Sequence, residues 1–210
     1  MTISNLLIAN RGEIAVRIQR TAHEMGITTV AVFPDDDQDA LHALTSDTPV
    51  RLEGKGAAAY LDIAQIIDVA KQNNCDAIHP GYGFLAENHQ FARACQDANI
   101  VFVGPNPDTL ELFGDKLRAR ELALANDIPV LPASLVIADL KTATDFFDSI
   151  QPDHSMLLKA VSGGGGRGMR IIRNRTEIED ALHRGSLEAN AAFGSGDMYG
   201  ELMVEHALHI

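Results

Sequence analysis

Leu157-Leu158-Lys159-Ala160-Val161-Ser162-Gly163-Gly164-Gly165-Gly166-Arg167-Gly168-Met169-Arg170 carries the strongest signal in this 210-residue sequence. Five glycines in six positions are costly to order. Each gives up more backbone entropy than alanine would, roughly 3–5 kcal/mol in all, against the ~5–15 kcal/mol that holds a whole domain together. A simple connector does not need that expense. The flanks sharpen the reading: an apolar run ending in Lys159 predicts a strand, and Met169-Arg170-Ile171-Ile172 predicts its hairpin partner. A glycine-rich hairpin presents unshielded backbone N–H groups to an anion, with Lys159 and Arg167 adding positive charge. These residues therefore read as a flap over the phosphates of a nucleotide. A Walker loop would need Lys-Ser or Lys-Thr after the glycines, and a dinucleotide fingerprint would need a helix there; neither follows. A disordered linker would have polar neighbours instead of two apolar strands.

Composition narrows the class. The chain is 46% hydrophobic and long enough for one or two domains. No apolar run approaches the ~20 residues of a membrane span, and the start lacks a basic region followed by an apolar core. Cys75 and Cys95 are isolated and read as reduced, buried thiols of a cytoplasmic protein. A net charge of −12 argues against nucleic acid or anionic membrane as partner, so an anion must be captured locally.

The first half alternates short apolar runs with helical periodicity. Strands are predicted at residues 6–9, 29–33, 77–78 and 100–103, and helices at 13–25, 61–72 and 91–98. That alternation predicts a parallel sheet covered on both faces, with ligands at the carboxyl ends of its strands. Asn10-Arg11-Gly12-Glu13 and His79-Pro80-Gly81-Tyr82-Gly83 fall there. A long helix is predicted over 108–126, and the prolines at 129 and 132 mark a break. A small α+β unit is predicted beyond it: a helix at 143–150, the hairpin at 156–172, and a helix at 176–192 opened by a Thr176/Glu179 capping box. A closing strand is predicted at 202–204, and Asp35-Asp36-Asp37 reads as a solvated turn. The domain division is set at 1–127 and 128–210.

With these residues in hand, the chain resembles the biotin carboxylase family of the ATP-grasp superfamily. Five pieces match in order: Ile8-Ala9-Asn10-Arg11-Gly12-Glu13-Ile14-Ala15, His79 through Asn88, Phe102-Val103-Gly104-Pro105, Gly114-Asp115-Lys116, and Lys159 through Arg170. The resemblance implies an α/β fold, a Rossmann-like N-terminal domain followed by a small ATP-grasp lid. It also implies a reaction in which MgATP activates bicarbonate as carboxyphosphate and carrier-bound biotin is carboxylated. Lys116 and Lys159 would contact the nucleotide, and Gly163, Gly164, Gly165, Gly166 and Gly168 would form the lid. Glu205, His206 and Leu208 would meet the adenine through backbone groups; His206 stands where the family commonly has lysine. Tyr82, Gly83 and Glu87 would lie on the biotin side. Implied partners are bicarbonate, a biotin carboxyl carrier protein, a carboxyltransferase component and a second copy in a homodimer.

Read without the resemblance, Lys159 is a snorkelling surface cation and Lys116 a partner of Asp115 or Glu121 on a solvated helix. His79 reads as a structural strand-end residue, and Arg11, Gly12 and Glu13 as helix-capping, loop-bracing residues. The family's magnesium carboxylates and its catalytic residues are expected beyond residue 210, so the chain is expected to be an incomplete portion that does not turn over alone. A non-catalytic nucleotide- or subunit-binding module, and another ATP-grasp ligase such as a carbamoyl phosphate synthetase, remain as alternatives.

Overall fold

The computed structural model describes residues 2–150, 154–162, 168–205 and 207, which form two compact units, Met1–Glu111 and Leu112–Ile210. The first runs β1 (Asn5–Ile8), α1 (Gly12–Glu24), β2 (Thr28–Phe33), α2 (Leu41–Leu44), β3 (Thr48–Arg51), α3 (Gly56–Ala59), α4 (Ile63–Gln72), β4 (Ala77–His79), α5 (His89–Asp97) and β5 (Val101–Phe102). The sheet order is β3-β2-β1-β4-β5, with every pair parallel. Strands buried on both faces need near-continuous apolar residues, and Leu6, Leu7 and Ile8 of β1 supply them. Leu7, with Ala9 just beyond it, packs toward Ile66, Phe91 and Cys95 on one side. Leu6 and Ile8 pack toward Ala15, Ile18 and Ala22 of α1 on the other. Asp62 and Asn88 cap α4 and α5 by accepting from the Gln65 and Phe91 amides.

α6 (Pro107–Gly114) ends where α7 (Lys116–Ala125) begins, so the single helix expected over 108–126 is two. Asp115 is the reason: its carboxylate accepts from the amides of Leu117 (2.9 Å) and Arg118 (3.1 Å), which starts a new helix. The second unit continues with α8 (Leu140–Ile150), β6 (Met156–Ala160), β7 (Arg170–Ile172), α9 (Ile178–Phe193) and β8 (Met198–Leu202). β6 is the central strand of an antiparallel sheet ordered β7-β6-β8. Met156, Leu158 and Ala160 alternate into a core with Phe147 and Ile150 of α8 and Ile178 and Ala189 of α9.

Two expectations shift here. The capping box is formed by Asn174 and Glu177, because a 3-10 turn at Arg175–Glu177 precedes α9. The closing strand is Met198–Leu202, not 202–204. Its position is fixed by pairing along the whole of β6, from Met156 opposite Leu202 to Ala160 opposite Met198.

Candidate functional site

Each unit carries a group of the residues singled out from sequence. In the first, a cavity of about 500 Å3 opens at the carboxyl ends of β1, β2 and β4. This is the point where the chain runs to opposite sides of β1, the usual ligand position in such sheets. Arg11 holds the N-cap position of α1 without making a capping bond. Its guanidinium instead pairs with Asp37 at 3.1 Å and lies 5.6 Å and 5.7 Å from the ring centres of Tyr60 and Phe84. Asp37 also accepts from the Tyr60 hydroxyl at 2.9 Å. Burial and that bond both hold the phenol's proton in place.

The acidic run is a turn with Asp35 and Asp36 exposed and Asp37 half-buried, and each of its carboxylates has a donor. Asp35 pairs with Arg51, Asp36 accepts from the Gly56 amide at 3.0 Å, and Asp37 ties the turn to Arg11 and Tyr60. Three adjacent carboxylates in a 3-10 turn repel one another, and a donor for each relieves the conflict.

The turn after β4 carries the residues expected on the biotin side. His79 ends the strand and its Nδ1 accepts from the Gly81 amide at 3.0 Å. Burial, and next the Arg17 charge, make the ring harder to protonate, and the bond to the Gly81 amide gives His79 a structural role in the turn. Tyr82 and Gly83 line the cavity. The Tyr82 side chain is 59% exposed, yet its hydroxyl donates to Glu13. Glu87 is exposed on the same turn and is not part of the cavity wall.

In the second unit, Lys159 and Leu157 lie on the face of β6 opposite its core residues. Lys159 pairs with Glu201 of β8. The two are diagonal neighbours, since Lys159 stands opposite Tyr199 and Leu157 opposite Glu201. Their side chains are only 21% and 16% exposed, a setting where charge pairing is weakly screened. A bridge between Asp115 and Ser162, two residues beyond β6, brings the start of α7 alongside. Lys116 there donates to the Val161 carbonyl at 3.4 Å. Its amine loses its proton more readily than an ordinary lysine, chiefly through burial and next through the Lys159 charge, with Asp115 opposing. The structure thus brings Lys116 and Lys159 together at the foot of the glycine hairpin. Two lysine side chains close together are a donor set suited to a polyanion.

Gly168 follows with φ +71°. Glu205 is exposed beyond β8, 3.4 Å from the Ser155 hydroxyl. Gly163, Gly164, Gly165, Gly166, His206 and Leu208 lie outside the described residues. Among the described residues no group of three or more His, Cys, Asp or Glu side chains is arranged to hold a metal ion.

This pairing of a cavity-bearing parallel sheet with a lysine-bearing hairpin unit defines a class. Residues 2–110 match the family described as biotin carboxylase, N-terminal domain, and residues 115–210 match that described as carbamoyl-phosphate synthase L chain, ATP binding domain. The chain belongs to the biotin carboxylase family. Among curated proteins it is 46% identical over 211 residues to the pyruvate carboxylase of Staphylococcus aureus, an alignment covering 99% of this chain and 18% of the relative. Among solved structures, the biotin carboxylase domain of Hydrogenobacter thermophilus 2-oxoglutarate carboxylase superposes with a TM-score of 0.93 at 39% identity, covering 98% of this chain and 45% of that one. Campylobacter jejuni biotin carboxylase gives 0.93 at 39% identity, covering 97% and 46%. The chain spans about 18% of the length of the curated relatives it matches.

Sequence reasoning missed Glu201 and assigned no task to Asn10. Glu201 has no motif; its one signal is strand alternation, which a closing strand placed four residues early would have exposed. Asn10 sits inside a recognised motif, but only the fold shows what its amide touches.

Proposed function

We propose that this chain is the N-terminal portion of a biotin carboxylase, which uses ATP to activate bicarbonate and carboxylates carrier-bound biotin. The observation that carries the reading is the Lys116–Lys159 pair at the base of the hairpin, in the unit that matches an ATP-binding domain. In this reading both lysines take the nucleotide phosphates, and Glu201 holds Lys159 extended along the sheet until they arrive. Gly163, Gly164, Gly165, Gly166 and Gly168 close over the phosphates, while backbone groups at Glu205, His206 and Leu208 meet the adenine. Tyr82 and Gly83 face biotin, with Glu87 nearby. ATP supplies the phosphoryl group that activates bicarbonate; the protein's part is positioning and charge. The described residues do not form a magnesium site, and no step is assigned to them through that ion.

The Hydrogenobacter relative is a dimer bound to MgADP, ADP and bicarbonate, which supports these ligands and a homodimer here. A biotin carrier and a carboxyltransferase component complete the proposed assembly. Cytoplasmic residence is proposed from two buried free cysteines, as in a reducing compartment. Among the described residues no helix is long and apolar enough to cross a membrane.

The test is calorimetric titration of the chain with MgATP beside Lys159→Ala, followed by an assay of bicarbonate-dependent ATP cleavage by the carboxylase that contains it. Binding weakened by the substitution, with cleavage that needs bicarbonate and biotin, is the expected result. A carboxylase whose ATP cleavage ignores both would overturn the reading.

A further inference from the structure

The turn that presents Tyr82 is fastened by two residues from the connection between β1 and α1. Asn10 is buried, 3% exposed. Its Nδ2 donates to the Pro80 and Tyr82 carbonyls, both at 2.8 Å, and its Oδ1 accepts from the Arg11 amide at 2.9 Å. One side-chain amide thus fixes the carbonyls on both sides of Gly81. Gly81 has φ +65°, and a Cβ there would stand 2.7 Å from Asn10 Nδ2, so amide and turn are fitted to each other.

The left-handed path continues through Gly83 and Phe84, whose φ values are +63° and +35°. Phe84 is held in this conformation by stacking on Tyr60, with ring centres 5.1 Å apart, and by the Arg11 guanidinium. The tip of the turn is held separately. Glu13, in the first turn of α1, accepts from the Tyr82 hydroxyl. That bond keeps the Glu13 carboxyl below the usual range and the phenol proton on Tyr82. It joins two exposed side chains and buries no core, so its effect is to aim the ring.

We infer that Asn10 and Glu13 are positioning residues for the Tyr82–Gly83 turn: Asn10 sets the backbone and Glu13 the direction of the phenol. The inference rests on the reading that Tyr82 and Gly83 face biotin. Neither residue acts on the reacting atoms; both act through the surface that Tyr82 and Gly83 present to the acceptor.

Two readouts keep the inference separable from that reading. The first needs no activity. NMR titration of the labelled tyrosine rings should show Tyr82 losing its proton above the ordinary value of about 10 in the unsubstituted chain. Glu13→Ala should lower it toward that value, and Glu13→Gln, which keeps an acceptor but no charge, should lower it less. An unmoved Tyr82 titration overturns the tether. The second uses the carboxylase that contains this chain, with free biotin as acceptor. Glu13→Ala should raise the KM for biotin about three- to tenfold, the worth of one hydrogen bond, and leave the KM for MgATP in place. Glu13→Gln, which keeps an acceptor oxygen, should recover part of that loss. A biotin KM unchanged in Glu13→Ala, or raised in step with the MgATP KM, overturns the positioning role. Absence of biotin-dependent turnover in the unsubstituted enzyme overturns the functional reading itself, and the titration still decides the tether. Asn10→Ser should raise the biotin KM in the same selective way, and circular dichroism separates that effect from misfolding.

Discussion

The two units reach a binding surface by opposite routes. In the first, β1 and β2 are buried on both faces, so side chains along the strands are committed to packing. Chemistry is left to the loops at the strand ends, where it depends on backbone shape: an amide at Asn10 and left-handed turns at Gly81 and Gly83. In the second, β6 alternates buried and half-buried residues, so one strand both packs a core and presents Lys159. Substitutions in the first site should therefore act through geometry, and those in the second through charge.

The largest expected effect tests the packing side of that contrast. Phe91 is fully buried and meets the Phe102 ring edge-on at 5.8 Å. Phe91→Ala should cost ~3–5 kcal/mol of unfolding free energy in urea titrations, against ~2–5 kcal/mol for Leu158→Ala in the smaller core. A clearly larger loss from Leu158→Ala would break the comparison. Next comes the charge: Glu201→Gln leaves the half-buried Lys159 without its counterion and should cost ~1–3 kcal/mol. Gly81→Ala follows, at ~1–2 kcal/mol for its left-handed backbone before any displacement of Asn10. A neutral result there would show that the turn is not shape-limited.

Two smaller effects concern protons. Asp76 accepts from the Ser4 hydroxyl and from the Ser4 and Asn5 amides, and these hold its carboxyl below the usual range. A depressed native value means stability that is present above the unfolded value near ~4 and lost as pH falls through the native one. Asp76→Asn should flatten that acid limb in thermal melts taken across the window. Smallest of all, Lys159→Met should move the Lys116 amine upward in an NMR titration by removing a neighbouring charge; burial alone would leave it depressed.

Sequence made the parallel sheet legible because buried strands of Leu, Ile and Val between amphipathic helices admit few other readings. It hid β3, Thr48–Arg51, because Pro49 and alternating exposure suit an edge strand and do not look like a strand in isolation. The periodicity predicts one helix through Asp115, although Asp after Gly114 is also a start signal, and only the cap geometry decides. Lys116 and Lys159 were legible from motifs. Their closeness was not, because it depends on the bridge between Asp115 and Ser162, 47 residues apart in sequence by that pairing. Likewise, the acidic run offered no hint that Arg51, Gly56 and Arg11 would each take one carboxylate.

The sheet order has a consequence for how the chain is made. β1 precedes the other strands of its sheet in the chain and is the central one, between β2 and β4. β2 emerges early, but β4 does not begin until Ala77. During synthesis one edge of this buried strand therefore waits, unpaired, through the making of α2, β3, α3 and α4. An unpaired apolar edge is a template for wrong partners, so a nascent chain arrested before Ala77 should be a chaperone client, and one extended past β5 should not.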